Sequence, residues 1–315
     1  MARLPLSDAA STVMLKSRFH LSRRAQEAII AYIFISPWIA GFLIFTAGSM
    51  LFSLGLSFFK TDLLNPPRFI GLANFGDLVH DYLFWKSLRV TFVYTILAVP
   101  SSTLIALLIA LLLNQRVRLL SLWRMIYYLP ALVSGVALAV LWGWVLDPNY
   151  GLLNTALGWL GLPQPRWLLS EFWVIPALAL MAVWGAGANM LLYLAGLQSI
   201  PTELQEAARI DGANAFRVFL HITLPLLTPT VFFNVVINMI GSFQIFTQNY
   251  VLTQGGPNNA SLTLVLYLYN QGFKEFHFGY ASALAWALFM IILILTLLVF
   301  RSSALWVYYE GGLRK

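Results

Sequence analysis

Long apolar runs alternate with short polar intervals along the chain, and the runs are too long for a water-soluble core. From residue 29 to residue 59 there is no charged side chain, a run of 31 positions that would be about 46 Å long as an α-helix. A bilayer's hydrocarbon is roughly 30 Å thick, so this run predicts a first span that tilts or projects beyond the membrane. Pro37, Gly41, Gly48 and Gly55 relieve it along its length. Further single crossings are predicted over 90–113, 125–146, 172–197, 230–252 and 279–300. None of them alternates with period two, so a β-barrel is excluded. The expectation is an all-α membrane protein with six transmembrane helices.

The polar intervals supply the turns. Residues 1–28 read as a basic tail carrying Arg3, Lys16, Arg18, Arg23 and Arg24. The run behind this tail is too long for a signal peptide's apolar region and has no small-residue cleavage site, so Arg23-Arg24 is not taken as a twin-arginine address. Residues 60–84 form a loop with Pro66-Pro67 and a short helical piece over 74–82, rich in aspartate. The longest polar interval is 201–229, PTELQEAARIDGANAFRVFLHITLPLLTP. Pro201 ends the preceding helix, and Thr202 with Gln205 reads as a capping box for a helix over 203–210. Asp211-Gly212 supplies a turn, and Asn214 caps a second short helix to about His221. Leu224-Pro225 then returns the chain to the membrane.

Charge fixes the orientation. If the tail, the 114–124 loop, the 201–224 loop and the C-terminal 302–315 tail with Arg301 share one side, that side holds 13 of the 19 lysines and arginines and six of the 12 acids. The other side holds six of each, so the whole +7 excess lies on one face, which is then cytoplasmic, with both termini inside. The same count explains the net charge without nucleic acid, since no basic stripe with interleaved aromatics is present. At 60% hydrophobic and 10% charged residues, with mean hydropathy +0.78, the chain takes lipid as its solvent. The absence of cysteine excludes disulfide and thiolate chemistry.

Glu206, Arg209, Asp211 and Arg217 offer charged pairing within 201–229, Ala207, Ala208 and Ala213 keep the backbone accessible, and Leu204, Ile210, Phe216 and Phe219 offer apolar anchors. Such a unit is either a docking surface for a protein or an amphipathic connector resting on headgroups. Its motifs decide between these by resemblance. Glu206-Ala-Ala208, Gly212 four residues on, and Ile222-Thr-Leu-Pro225 resemble the EAA loop of ABC-importer permease subunits. FIGLANF at 69–75, AGLQ at 195–198 with Ile200-Pro201, LTQGGP at 252–257 and GYASA at 279–283 resemble the carbohydrate-uptake group, which includes the maltose and glycerol-3-phosphate permeases.

That resemblance implies a type I ABC-importer permease fold with a core over 85–301, in an inner membrane of a prokaryote. It implies four further kinds of partner: a second permease, usually a different chain, two ATPase subunits, an extracytoplasmic solute-binding protein and the bilayer itself. Glu206, Ala207, Ala208, Arg209, Asp211 and Gly212 would then couple to the ATPases, Glu206 by pairing with a basic residue near the ATPase Q-loop. Read without the resemblance, Glu206 is a solvated charge near a helix start. The chain has no G-x-x-x-x-G-K-[ST] motif, and none of its lysines follows a glycine. No cofactor is therefore expected in this chain, ATP and Mg belonging to the partners, and no catalysis. The four histidines, at 20, 80, 221 and 277, are scattered, which argues against a metal centre.

The solute path is sought among polar residues in the spans. Asn234, Asn238, Gly241, Ser242 and Asn249 recur on one face of the fifth span, with Gln244 and Gln248 beside it, and Trp184, Gly185 and Asn189 lie in the fourth. These amides would match a polyhydroxylated solute such as a sugar, with the indole as a stacking surface; the alternative is hydrogen bonding between helices. The near absence of charge in the spans argues against proton relays. The remaining alternative function is an ion-coupled carrier, which would need midplane ionisable residues or broken repeat halves. LTQGGP at 252–257, residues 147–151 and the region of Trp167 are outer-side loops, either simple connections or, by resemblance, contacts for the solute-binding protein.

Overall fold

A computed structural model describes residues 22–62, 64–115 and 118–308. Residues 1–21 and 309–315 of the two predicted tails, and Arg116 of the 114–124 loop, lie outside the described residues. The chain separates into two units, Met1–Ser53 and Leu54–Lys315.

The first unit is helical. α1 (Arg23–Gly41) runs through a π-helical turn (Phe42–Gly48) into α2 (Ser49–Leu56). Pro37 cannot donate to the carbonyl four residues back, and the Ser36 hydroxyl donates to that Ile33 carbonyl at 2.8 Å instead. Apolar side chains such as Phe34 and Phe45 are exposed along it, as a helix that is hydrophobic all round requires of a lipid or protein environment. Helix therefore begins before residue 29, and it stops at Leu56, short of the predicted 59. Ser57 turns back on Leu54 O through both its N–H and its hydroxyl.

In the second unit, Pro66-Pro67 returns the chain so that β1 (Phe59–Lys60) pairs antiparallel with β2 (Arg68–Phe69), Phe59 opposite Phe69. α3 (Ala73–His80) follows, as expected near 74–82. Asp81 then caps α4 (Tyr82–Leu113) by accepting from Leu83 N at 2.8 Å, so the second span starts eight residues before the predicted Val90. The predicted third span is broken: α5 (Leu120–Leu132) and α6 (Gly135–Val145) meet at 99°. Pro130 lies near the end of α5, and Ser134 recaps the chain for α6 by accepting from Ala137 N. After α7 (Leu152–Trp159), the fourth span is also two pieces, α8 (Val174–Trp184) and α9 (Gly187–Gln198), bent by 48° at Gly185-Ala186.

α10 (Thr202–Ile210) and α11 (Ala215–Val218) form the polar pair, and a π-helical turn (Phe219–Thr223) joins α11 to α12 (Leu224–Phe243). Regular helix lapses at Gln244 to Phe246 before α13 (Thr247–Leu252), so the predicted fifth span starts earlier and is interrupted near its end. α14 (Leu264–Tyr269), an apolar run too short to be predicted as a span, leads through a π-helical turn (Asn270–Lys274) to α15 (Phe278–Trp306). Among the described residues four helical stretches are long and apolar enough to cross a membrane: Glu27–Leu56, Tyr82–Leu113, Ala215–Leu252 and Phe278–Trp306. The two bent pairs would raise the number to six.

α4 is the axle of the second unit, packing against α8, α9, α12 and α14. Its end near Leu113 joins a core of Ala106, Ala110, Met190, Tyr193, Leu197 and Leu227, while its start near Phe84 joins Leu264, Leu266, Phe243 and Leu284. Two glycines permit backbone contact. A Cβ on Gly187 would overlap the Tyr127 carbonyl, and one on Gly279 would overlap the Phe59 carbonyl. That second carbonyl is also held by the buried Asn74 amide, which donates to Ser57 O at 2.7 Å and Phe59 O at 3.1 Å.

Gly279→Ala must push α15 away from β1. It should lower the stability of the purified protein by about 1–3 kcal/mol, read as a lowered unfolding midpoint in detergent. An unchanged midpoint would contradict this packing.

Candidate functional site

Two of the three helix breaks border one cavity of about 550 Å³. Gly185 enters it at the α8–α9 bend, Gln244 to Gln248 form its wall at the α12–α13 lapse, and Leu138 reaches it from α6. α4 supplies Tyr94, Ala98 and Ser102, one turn apart on one face. α9 supplies Asn189, and α12 supplies Ile237, Asn238, Gly241 and Ser242. No Asp, Glu, Lys or Arg lines it. Its polar groups are amides and hydroxyls, interleaved with apolar side chains such as Leu178, Met181 and Ile245.

The two central amides meet across helices: Asn189 Nδ2 donates to Asn238 Oδ1 at 3.1 Å, and Asn238 Nδ2 has no partner. This amide donor, buried beside the cavity, is a polar group still lacking its hydrogen bond. Ser242 is committed elsewhere, donating within reach of Thr95 Oγ1 on α4 at 2.9 Å and Met239 O at 2.8 Å.

Of the predicted path residues, Gly185, Asn189, Asn238, Ser242 and Gln244 line this cavity, with Gly241 and Gln248. Three do not. Trp184 turns edge-on to Trp142, ring centroids 5.9 Å apart, instead of facing the cavity. Asn234 is buried one turn too low, its amide donating to Thr230 O at 2.9 Å. Asn249 is fully buried and donates to Ser261 O at 2.8 Å, tying α13 to the following loop. The lapse at Gln244 to Phe246 resets the helical phase, so a stripe extrapolated from Asn238 cannot continue to Asn249. Tyr94 and Ser102 escaped the sequence reading, although their eight-residue spacing in an apolar span was a signal for them.

The second candidate is the α10–α11 pair. Glu206, Ala207, Arg209, Asp211 and Gly212 are exposed and Ala208 is half-buried, with Ile210 and Phe216 as exposed apolar anchors. The expected capping box is not formed. Pro201 occupies the N-cap and Thr202 is already helical, with no side-chain cap bond, because proline's fixed φ suits that boundary. The C-terminus has a Schellman closure: Ala213 N donates to Ala208 O at 2.9 Å and Gly212 N to Arg209 O at 3.1 Å, with Gly212 at φ +82°. Asn214 caps α11 as expected, accepting from Arg217 N at 2.9 Å. The pair brackets a 300 Å³ hollow lined by Ala208, Ala213, Arg217 and His221.

At the other end of the bundle, the LTQGGP segment is rigid. Ser261 Oγ donates to Gly256 O at 2.6 Å, and Gln254, Gly255, Asn258 and Asn259 all have positive φ. Nearby, Asp62 is held below the usual carboxylate range, chiefly by the Asn65 backbone N–H at 2.8 Å and the Asn65 side-chain amide.

A broken-helix membrane bundle with an uncharged polar cavity has the frame of a solute permease. The chain belongs to the binding-protein-dependent transport system inner membrane component family, whose pattern its residues 82–309 match. It is 41% identical to the probable ABC transporter permease protein YesP of Bacillus subtilis, over 91% of this chain and 94% of that protein. It is 33% identical to the arabinooligosaccharides transport system permease protein AraP of Bacillus subtilis, over 95% of each. Among solved structures it resembles a chain of a bacterial alginate ABC transporter in complex with an alginate pentasaccharide-bound periplasmic protein. The TM-score is 0.78 at 25% identity, covering 90% of this chain and 96% of that one.

The amides separate by role. Asn249→Leu, which strands Ser261 O in a fully buried setting, should cost about 1–3 kcal/mol of stability, whereas Asn238→Leu should cost under about 1 kcal/mol because the Asn189 amide it leaves behind is only half-buried beside the cavity. Unfolding midpoints of the two variants in one detergent check this.

Proposed function

We propose that this chain is the membrane-spanning subunit of an ATP-driven, binding-protein-dependent importer of a sugar or related polyhydroxylated solute. In this reading it crosses a prokaryotic inner membrane six times with both termini in the cytoplasm, counting α5–α6 and α8–α9 as one bent span each. A second permease, two ATPase subunits and an extracytoplasmic solute-binding protein complete the assembly. ATP and Mg bind to the ATPases, and no bond of the solute is made or broken in this chain.

The observation that carries the reading is continuity. The exposed α10–α11 pair runs without a non-helical residue from Ala215 into α12, which lines the cavity. A push on the pair is therefore delivered to Asn238 and Ser242 by a rigid rod. Glu206, Ala207, Ala208, Arg209 and Asp211 form the ATPase-facing surface, and Gly212 allows the bend that seats it. ATPase closure draws the pairs of the two permeases together and turns the cavity outward, solute enters from the binding protein, and hydrolysis resets the assembly. The oligosaccharide names of the relatives and the uncharged amide lining support a saccharide cargo. Asn189, Asn238, Gln244 and Gly185 meet the solute. Trp184, Asn234 and Asn249 hold the walls that position them. The ion-coupled alternative lacks an ionisable group at the cavity.

Glu206→Lys should reduce ATP-dependent solute uptake in proteoliposomes at least about tenfold while leaving solute retention by the binding protein intact. Uptake unchanged by this reversal, or driven by an ion gradient without ATP, would overturn the reading. Asn238→Leu should instead raise the half-saturating solute concentration, with ATP hydrolysis still stimulated.

A further inference from the structure

Away from the cavity, a second cleft of about 580 Å³ opens at the end of the bundle remote from α10. It has a graded lining. Tyr82, Trp85, Lys86 and Arg89 occupy successive turns of one face of α4, and Glu171 faces them from the segment before α8. Below them the lining becomes apolar, with Val90, Val93 and Ile175 at the start of the two spans. Residues 90–113 carry no charge, so this is the level where headgroup gives way to hydrocarbon.

The charges in the cleft do not neutralise one another. No ion pair joins Glu171 to Lys86 or Arg89, and Arg89 makes no hydrogen bond among the described residues. Lys86 donates to Asn258 O, and Asn258 Nδ2 donates to Glu171 Oε1 at 3.1 Å, so the LTQGGP loop holds the cation and the carboxylate apart. Opposite charges kept separate across a cleft present a dipole, and exposed Tyr82 and Trp85 add aromatic faces beside it. The matching ligand has a phosphate for Arg89 and Lys86, an ammonium for Glu171, and an apolar remainder for Val93 and Ile175.

We infer that this cleft binds a zwitterionic phospholipid with a primary ammonium headgroup, of the phosphatidylethanolamine type. The lipid fills the groove between α4 and the start of α8 and braces the Lys86–Asn258–Glu171 strut. A purely anionic lipid would leave the carboxylate unmatched, and a choline headgroup cannot donate hydrogen bonds to it.

The test uses the purified transporter assembly carrying the full chain, in nanodiscs of phosphatidylcholine supplemented with phosphatidylethanolamine or phosphatidylglycerol. Native mass spectrometry after transfer to detergent then counts retained lipid. Phosphatidylethanolamine should be retained in preference to both others. Glu171→Gln should abolish its preference over phosphatidylglycerol, and Arg89→Gln should reduce retention of both by about tenfold. Both substitutions replace exposed side chains, and unchanged unfolding midpoints confirm intact folds. Retention indifferent to headgroup, a preference for phosphatidylglycerol, or insensitivity to both substitutions would overturn the inference. So would finding the cleft covered by a partner subunit in the assembly.

Discussion

Hydrocarbon offers no hydrogen bonds, so a backbone group freed within the membrane must be answered by protein or by a cavity. This constraint organises the molecule. Three predicted spans are interrupted, at Val133-Ser134, Gly185-Ala186 and Gln244 to Phe246, and the last two border the cavity. Ser134 answers the first, accepting from Ala137 N. At the other two the N–H groups stay within the protein, Gly185 N donating to Met181 O and Gln244 N to Gly241 O, both at 3.1 Å. The cavity lies beside these two breaks, and α4, helical without a lapse from Tyr82 to Leu113, supplies another of its walls.

The same economy appears at the polar pair. α10 is held by backbone closure at Gly212 and α11 by the Asn214 cap, with little burial of α10. Its outer face is exposed, with Ile210 and Phe216 on it, while its backbone geometry is fixed by these local bonds. From Ala215 onward the chain is helical through a π-helical turn and α12 to Phe243. The Asn189–Asn238 bond then links that rod to α9, so the two cavity walls move as neighbours.

Much of this was legible in the sequence where a local rule decides. The apolar runs located the long helices, Asp211-Gly212 and Asn214 marked the turn and cap, and Asn189, Asn238 and Gln244 pointed to the cavity. What escaped depended on tertiary contact. Pro201 rather than Thr202 became the cap, a choice that turns on one dihedral. The span breaks needed partners remote in sequence, as Gly187 against Tyr127 illustrates. Once α12 lapsed, its phase was lost, which is why Asn249 packs inward on Ser261 while Thr247 and Gln248 reach the cavity. α14 is an apolar run too short to cross a membrane, and its place comes from packing on α4 and α15, where Leu264, Leu266 and Tyr267 are buried.

The central claim is that the α10–α11 pair lies in the cytoplasm under an ATPase. The chain has no cysteine, and Ile210 at the tip of α10 is 86% exposed, so Ile210→Cys gives a unique thiol there. A membrane-impermeant maleimide should label it in inside-out vesicles stripped of ATPase subunits and fail to do so once those subunits are restored. Labelling from the outside of intact cells, or labelling that the ATPase leaves unchanged, would contradict the account.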